Sequence, residues 1–486
     1  GNRRSARDRD RARAAGAGLS RAGRCMYDIL LWLTGLAAVT CGLVGYLISR
    51  DVFHPLVFLG PMLAFSYFLT PLVLTSEGTI WRFLPADQMA FVQFFYLAGT
   101  LALAAGVMIG GYGGRWRPGK LALVPSWSAR RQLRRAGLLL GGIGVAAFLY
   151  MIRNNGGLEA TYSVAHGRGW SSTGYIREAF FLIVPALMLL LVANSGQRIR
   201  RADRRWIAVI ASPLMLHGVL SAARGPTSMV LITLVVGWYM VRCRRPPLVL
   251  MAAGLGATGV LLLALVTSRS SIHLGGTFEL SGFDRMLDFV GRATSGNEYI
   301  LGSGIIINSR MTGSYEWGLA YLLTTVIRAI PRQVWPTQYE DTVAFFGMPG
   351  YDVRDTADFA DTLGWTATNG AAAGLFAEVW QQFWWFGIIL LFTIGWCYGR
   401  AWLLAVRRGG LWMMIHVIML ALSIFLTQQG FAPMLFRILF LGGAGWIVWR
   451  FMVRGRWHRP MALPPQFPQV AVPAGRQTLQ AGGWHP

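Results

Sequence analysis

The chain has 486 residues, of which 54% are hydrophobic, and its 45 Lys and Arg against 21 Asp and Glu give a formal net charge of +24. The apolar residues form repeated runs of about 17 to 25, the length that crosses about 30 Å of hydrocarbon. The arginines lie mainly in short loops and tails beside these runs, a pattern that argues against nucleic acid as a partner. The four cysteines show no CxxC spacing, which argues against a disulfide framework or a zinc site.

The apolar runs predict an all-α fold, a polytopic bundle of transmembrane helices. The arginine-rich residues 1–26 lack apolar periodicity and are expected to form a flexible tail beside the membrane. Run 228–241 is short for a full crossing, so with run 206–222 it is a candidate for a pair of tilted or broken helices. The eleven candidate spans are residues 27–48, 53–74, 89–110, 136–152, 177–194, 206–222, 228–241, 247–267, 374–398, 411–428 and 432–451.

Arginine clusters predict the orientation of these spans, because cytoplasmic loops are rich in basic residues. Spans that alternate in direction place the basic N-terminus outside, which the same rule disfavours. Either an early segment is therefore re-entrant or one span is missed. The clusters that mark cytoplasmic loops are residues 115–135, 198–205, 242–245, 400–408 and 450–459. The chain therefore divides into a tail (1–26), N-terminal spans (27–267), an extracytoplasmic loop (268–373), C-terminal spans (374–452) and a disordered tail (453–486).

The loop 268–373 holds 11 of the 21 acidic residues and seven arginines, so it is the part of the chain best suited to a site facing water. Its aspartates at 352, 355, 358 and 361 recur every three residues, and one helix face there would suit a divalent cation or sugar hydroxyls. A solvated helix face is the simpler interpretation, because Asp-x-Asp and EF-hand spacings are absent. We therefore predict no metal site.

Arg224 lies between two apolar runs, where a guanidinium is costly unless it snorkels or meets an anion such as a phosphate. Arg332 lies between Pro331 and Trp335-Pro336, which stiffen the backbone beside an aromatic ring. Both arginines are candidates for binding a lipid diphosphate. The alternatives are an interfacial anchor for Arg224 and a rigid turn with a belt residue for Arg332.

Glu378 lies inside an apolar run, so it is a functional candidate that would accept a proton from a sugar hydroxyl. The alternative is a structural partner for a nearby arginine. Weaker polar candidates in the loop are Arg292, Glu298, Arg310 and Tyr315. His217 is predicted to be packed or hydrogen-bonded rather than catalytic. The chain has no Walker loop, GxSxG elbow or HExxH motif, which weakens ATP-driven and hydrolase interpretations.

Over about residues 220 to 400 the chain resembles the oligosaccharide repeat-unit polymerases of bacterial surface polysaccharides, the O-antigen polymerase family. In the family a lysine often follows the last proline of the Pro-Arg-x-x-Trp-Pro element, whereas this chain has Thr337-Gln338. The resemblance is carried by Arg224-Gly225, Gly313-Ser314-Tyr315, Pro331-Arg332-x-x-Trp335-Pro336 and Gly374-x-x-x-Glu378 with Phe386-Gly387.

The resemblance implies an integral-membrane glycosyltransferase of the bacterial inner (cytoplasmic) membrane that polymerises polyprenyl-diphosphate-linked glycans without a nucleotide, metal or cofactor. Arg224 and Arg332 would stabilise the departing diphosphate, and Glu378 would lie near the acceptor hydroxyl. Its partners would be the lipid-linked glycan, the bilayer and a polysaccharide chain-length regulator. The residues expected to bind substrate are Arg292, Arg310, Tyr315 and Trp335.

Three other functions compete with this one. An O-antigen ligase would use the same chemistry to transfer a finished glycan to a lipid core. A flippase or transporter of lipid-linked glycans predicts polar residues throughout the spans and repeated halves, whereas here polarity is concentrated in one loop. A structural membrane protein would leave Glu378 and Arg224 unexplained.

Overall fold

The computed structural model of the protein describes residues 2–116, 124–163, 175–268, 274, 298–330, 334–348, 372–453 and 457–458. The N-terminal half forms α1 (Asn2–Ser49), α2 (Pro55–Ala64), α3 (Thr70–Ser76), α4 (Ala86–Gly110), α5 (Trp127–Asn154), α6 (Leu158–Tyr162), α7 (Tyr175–Phe180), α8 (Ile183–Ala193), α9 (Arg201–Leu220), α10 (Arg224–Val241) and α11 (Leu248–Thr267). The C-terminal half forms α12 (Glu298–Thr312), α13 (Leu319–Thr325), α14 (Gln338–Phe345), α15 (Leu375–Phe383), α16 (Gly387–Arg408), α17 (Leu411–Gln429) and α18 (Phe431–Val448).

Short elements complete this architecture. Single 3₁₀ turns lie at Ile80–Arg82, Ile327–Ala329 and Trp384–Phe386, and π-helical turns at Phe65–Leu69 and Trp449–Val453. In the described part of the chain, the only strands are Val124–Pro125 and Trp457–His458, which pair antiparallel.

The predicted all-α polytopic bundle is confirmed. Among the described residues, nine segments are long and apolar enough to cross a membrane. They coincide with nine of the eleven predicted runs. The segments are Ala22–Ser49, Pro55–Ser76, Ala86–Gly110, Trp127–Asn154, Ile176–Ala193, Leu248–Leu265, Leu375–Arg408, Leu411–Gln429 and Phe431–Phe451.

The remaining two runs, 206–222 and 228–241, also form helices, α9 and α10, but these are not among the nine. Helix α9 begins with the charged residues Arg201, Asp203, Arg204 and Arg205, which shorten its apolar part. Helix α10 begins at Arg224 and has 18 residues, about 27 Å of helix, which is short for a crossing that includes an arginine.

Two predicted boundaries differ from the structure. Helix α1 begins at Asn2, whereas the sequence predicts a flexible tail over residues 1–26; its many Ala and Arg residues favour a helix that continues into the first span. Run 374–398 is predicted as one span, but the backbone breaks at Trp384–Phe386 between α15 and α16.

Helices α4 and α16 form the closest helix pair in the described bundle. Gly106 and Gly110 lie against the backbone of α16, and Gly395 and Gly399 lie against the backbone of α4. A β-carbon at any of these positions would meet a backbone carbonyl oxygen. Small residues of this kind let membrane helices associate through direct backbone contact, since lipid provides no hydrophobic force between them.

A buried ion pair ties several connecting segments together at one end of the bundle. Asp51, in the α1–α2 connection, accepts hydrogen bonds from Arg245 Nε at 2.5 Å and Nη2 at 2.9 Å, and from Trp402 Nε1 at 2.9 Å. Trp116 N also donates to Ser49 O at 3.1 Å. The α1–α2 connection therefore lies on the side of the bundle that the arginines near residue 245 predict to be cytoplasmic.

The start of the first span lies at the opposite end. Arg24 stacks over Trp81, at 5.3 Å from the ring centroid, and the Tyr27 hydroxyl lies 3.1 Å from that of Tyr299 in α12. The segment Ala22–Ser49 is long enough to cross a membrane, so the first span begins and ends at opposite ends of the bundle.

Candidate functional site

The carboxylate of Glu378 is enclosed at the junction of α17 and α18. Its Oε1 accepts a hydrogen bond from Ala432 N at 2.8 Å. Its other oxygen lies directly against Gly430, whose φ of 111° and lack of a side chain are both needed there. Gly430 therefore connects α17 to α18 and leaves room for the buried carboxylate of Glu378.

Tyr321 lies beside this carboxylate from the other side. Its ring centroid is 5.6 Å from that of Phe431 and 5.7 Å from that of Phe383. Its hydroxyl is buried and interacts with the Glu378 carboxylate. A carboxylate paired with a tyrosine hydroxyl in a buried place can exchange this partner for an incoming hydroxyl group.

A second polar centre, the arginine cluster, consists of Arg177, Arg328 and Arg437 around Glu178. Glu178 Oε1 lies 2.7 Å from Arg328 Nη2 and 3.6 Å from Arg177 Nη2, and its Oε2 lies 4.0 Å from Arg437 Nε. Three guanidinium groups thus surround one carboxylate. Guanidinium groups gathered beside a membrane span suit an anion, because they match phosphate oxygens in geometry.

Aromatic rings support the arginine cluster. Arg328 lies over the Phe436 ring at 4.6 Å, and Arg437 lies over the Phe425 ring at 4.3 Å. The side chain of Arg437 is 12% exposed, and its Nε lacks a hydrogen bond to the described residues. The cation–π contacts hold these two guanidinium groups in place.

Helix α18 and the segment Leu319–Ala329 each contribute one residue that contacts Glu378 and one arginine of the cluster. Ala432, which holds Glu378, precedes Arg437 by five residues of α18, about 7.5 Å along the helix axis. On the facing segment Leu319–Ala329, Tyr321 and Arg328 follow in the same order. Glu378 and the arginine cluster are therefore both in contact with these two segments.

Arg224, predicted as a catalytic residue, forms a 2.7 Å ion pair with Glu298 of α12. The adjacent Gly225 lies against the Phe425 ring, the same ring that Arg437 covers. Two of the three predicted catalytic residues, Arg224 and Glu378, are thus brought into one region of the bundle. The third, Arg332, lies outside the described residues, as do Arg292 and the aspartates at 352, 355, 358 and 361.

Two of the predicted substrate-binding residues lie at the C-terminal end of α12: Arg310 in its last turn and Tyr315 just beyond it. Arg310 lies over the Phe91 ring at 4.0 Å and donates to Gln88 Oε1 at 2.9 Å. Burial raises the pKa of Tyr315, and the positive charge of Arg310 opposes this rise. Neither residue has a described contact with the arginine cluster.

Trp335, also predicted to bind substrate, is engaged in local structure. Its Nε1 donates to Asp341 Oδ2 at 2.6 Å, and Thr337 Oγ1 donates to the same oxygen at 2.7 Å. These two donors lower the pKa of Asp341. The ring packs on a small apolar cluster that includes Leu319 and Leu323. This geometry agrees with the rigid-turn alternative for this residue.

His217 is hydrogen-bonded, as predicted. Its Nδ1 lies 3.1 Å from the Tyr162 hydroxyl and 3.3 Å from Ser221 Oγ.

Sequence reasoning missed Arg177, Glu178, Tyr321, Arg328 and Arg437. Arg437 carried a clear signal, because it is the only charged residue between Arg408 and Arg450. An ionisable group inside a span is a functional candidate by default. The other four lie at the edges of apolar runs, where a charged or aromatic residue is ordinary, and the sequence offers no comparable signal.

No family model, curated protein or solved structure matches this chain. The site must therefore be interpreted from its own chemistry. Within the described ranges, His, Cys, Asp and Glu side chains form no group of three or more that could hold a metal ion. What the described residues do provide is a cluster of guanidinium groups and a buried carboxylate beside a tyrosine hydroxyl.

Proposed function

We propose that this multi-pass membrane protein is a glycosyltransferase that polymerises polyprenyl-diphosphate-linked repeat units into a surface polysaccharide at the bacterial inner membrane. The observation that carries the proposal is that Glu378 and the arginine cluster both contact α18 and the segment Leu319–Ala329. A lipid-linked glycan presents matching groups in its reactive region, since an anionic diphosphate adjoins a sugar that a hydroxyl attacks.

In this reaction the hydroxyl oxygen of one lipid-linked repeat unit bonds to the anomeric carbon of another. The bond between that carbon and the diphosphate oxygen breaks, and the lipid diphosphate leaves with the electron pair. Arg177, Arg328 and Arg437 would stabilise the negative charge on the leaving group. Glu378 would accept the proton from the attacking hydroxyl, which Tyr321 helps to orient.

Arg224 also belongs to this proposal, although the carboxylate of Glu298 compensates its positive charge in the ion pair. A diphosphate approaching the Phe425 ring would compete with Glu298 for this guanidinium. Arg224 would then add a positive charge to the arginine cluster on substrate binding.

The test is genetic. In the source strain, deletion of the gene should remove long polysaccharide chains and leave single capped repeats, as seen on a glycan gel. Unligated long polymer would instead indicate a ligase, and repeat units confined to the cytoplasmic face would indicate a flippase or transporter. Complementation with Glu378→Gln should fail to restore the ladder, whereas Glu159→Gln, an exposed carboxylate, should restore it. Normal chain lengths with Glu378→Gln would refute the proposed role of this carboxylate.

A further inference from the structure

Three aromatic rings form a surface cluster beyond the C-terminal end of α15; we call Tyr315, Trp317 and Trp384 the aromatic platform. The Tyr315 ring centroid lies 6.2 Å from that of Trp317 and 6.3 Å from that of Trp384. Trp317 is 60% exposed and Trp384 is 41% exposed. Tyr315 is half-buried and backed by Trp380, with ring centroids 6.0 Å apart. The platform therefore presents two indole rings outward on a packed base.

Both tryptophans have a backbone conformation that bulky residues avoid. Trp317 has φ of 48°, and Trp384 has φ of 50° with ψ of −137°. Only three other described non-glycine residues have positive φ. Such conformations persist only where the surrounding structure imposes them, and they cluster at binding sites and active sites. Two strained tryptophans in contact with the same tyrosine indicate that ring placement matters here.

A buried glutamate holds the strained turn. Glu316, between Tyr315 and Trp317, accepts a hydrogen bond from Gln381 Nε2 at 2.5 Å and another from Gln382 Nε2. Its backbone N donates to Gln381 O at 3.0 Å. The turn is thus fixed to the C-terminal end of α15. The rings are held in place before any ligand binds, which lowers the entropic cost of binding.

The same helix connects the aromatic platform to Glu378. Trp384 follows Glu378 by six residues, about 9 Å along a helix axis. On the proposed function, sugars next to the hydroxyl that reaches Glu378 would extend along α15 to reach the platform. The acceptor glycan, rather than the lipid diphosphate, is therefore the ligand to test.

We propose, on the basis of the glycosyltransferase function above, that the aromatic platform is a sugar-binding subsite that stacks pyranose rings of the acceptor glycan. The C–H groups on one face of a pyranose carry partial positive charge, and they pack against the negative face of an indole ring. Membrane-belt tryptophans also lie at interfaces, but anchoring to headgroups requires neither strained backbone nor a buried polar clamp.

The test measures binding of lipid-free sugars to the purified full-length protein in nanodiscs. The probes are oligosaccharides released by mild acid from the source strain's own surface polysaccharide. Trp317→Ala and Trp384→Ala should each weaken binding by about tenfold or more. Trp317→Phe, which keeps a ring, and Trp446→Ala, a tryptophan of α18 with 51% exposure, should bind as wild type does.

Two outcomes would overturn the platform: wild-type protein that binds none of these oligosaccharides, or alanine variants that bind them unchanged. Trp317→Gly and Trp384→Gly guard against misfolding, because each removes the ring and relieves the backbone strain. Glu378→Gln separates the two proposals. It should keep oligosaccharide binding while losing elongation, so normal elongation by this variant would refute the role of the carboxylate and leave the platform standing. Wild-type protein that binds the oligosaccharides but elongates no lipid-linked repeat unit would refute the glycosyltransferase assignment.

Discussion

Replacement of Arg437 by alanine is the sharpest test of the arginine cluster. The substitution removes one guanidinium, and its positive charge, from a site where Arg177 and Arg328 remain. The side chain is 12% exposed and lies 4.0 Å from Glu178 Oε2, so solvent screens its interactions only in part. We therefore expect a loss of transition-state stabilisation larger than that from any surface arginine.

The magnitude follows from Coulomb's law. At 4.0 Å, the distance of Arg437 from Glu178, unit charges interact by about 4 kcal/mol with an effective dielectric of about 20. The diphosphate is already charged in the ground state, so only the charge that develops on departure contributes to the rate. Removal of one such donor in comparable sites lowers kcat by about 10² to 10³. We expect a loss of that size for Arg437→Ala.

The assay follows elongation by purified protein supplied with the lipid-linked repeat unit, with release of lipid diphosphate measured in parallel. Arg437→Lys should recover part of the rate, since it restores the charge but not the planar fork. Arg242→Ala is a matched control, because Arg242 also lies over an aromatic ring, Trp238 at 4.1 Å, at the predicted cytoplasmic end. A kcat within twofold of wild type for correctly inserted Arg437→Ala would refute the proposed role of the arginine cluster.

Two further predictions concern other parts of the bundle. Gly430→Ala would bring a methyl group onto the Glu378 carboxylate at a φ of 111°, so elongation should be lost. Gly442→Ala, in open space, should retain elongation. An active Gly430→Ala protein would contradict the role given to Gly430. Asp51→Asn breaks a buried ion pair and should lower the free energy of unfolding by about 3 to 5 kcal/mol, whereas Asp87→Asn should not. Burial opposes ionisation of Asp51, but Arg245 and the other donors hold its pKa below the ordinary value. The stabilisation is therefore complete above that ordinary pKa and is lost as pH falls through the folded-state pKa; a stability difference that persists in acid would contradict the ion-pair explanation.

Much of the bundle could be predicted because the length and hydrophobicity that a membrane span needs can be read from consecutive residues. An apolar run of sufficient length forms a helix wherever it occurs, and nine predicted runs coincide with membrane-length segments. The break at Trp384 escaped prediction, because the residues on both sides are apolar and the strained turn depends on contacts made by Glu316.

The candidate site was predictable only where a single charged residue lies beside or inside an apolar run. Arg224 and Glu378 stood out because each adjoins or enters an apolar run. The contact between Arg328 and Glu178 joins residues 150 positions apart, so it depends on tertiary packing that no spacing rule encodes. Tyr321 is likewise unremarkable in sequence, and only the folded chain brings its hydroxyl to the carboxylate.

The glycine contacts between α4 and α16 limit how these two helices could move when a substrate binds. Backbones that touch without intervening side chains resist sliding, since any shift drives α-carbons into carbonyl oxygens. Glu378 precedes α16 in the same membrane segment, whereas Arg437 belongs to α18, of which a smaller share is buried. On the proposed function, the general base would thus be carried by the membrane segment that is least free to move, and the substrates would be positioned around it.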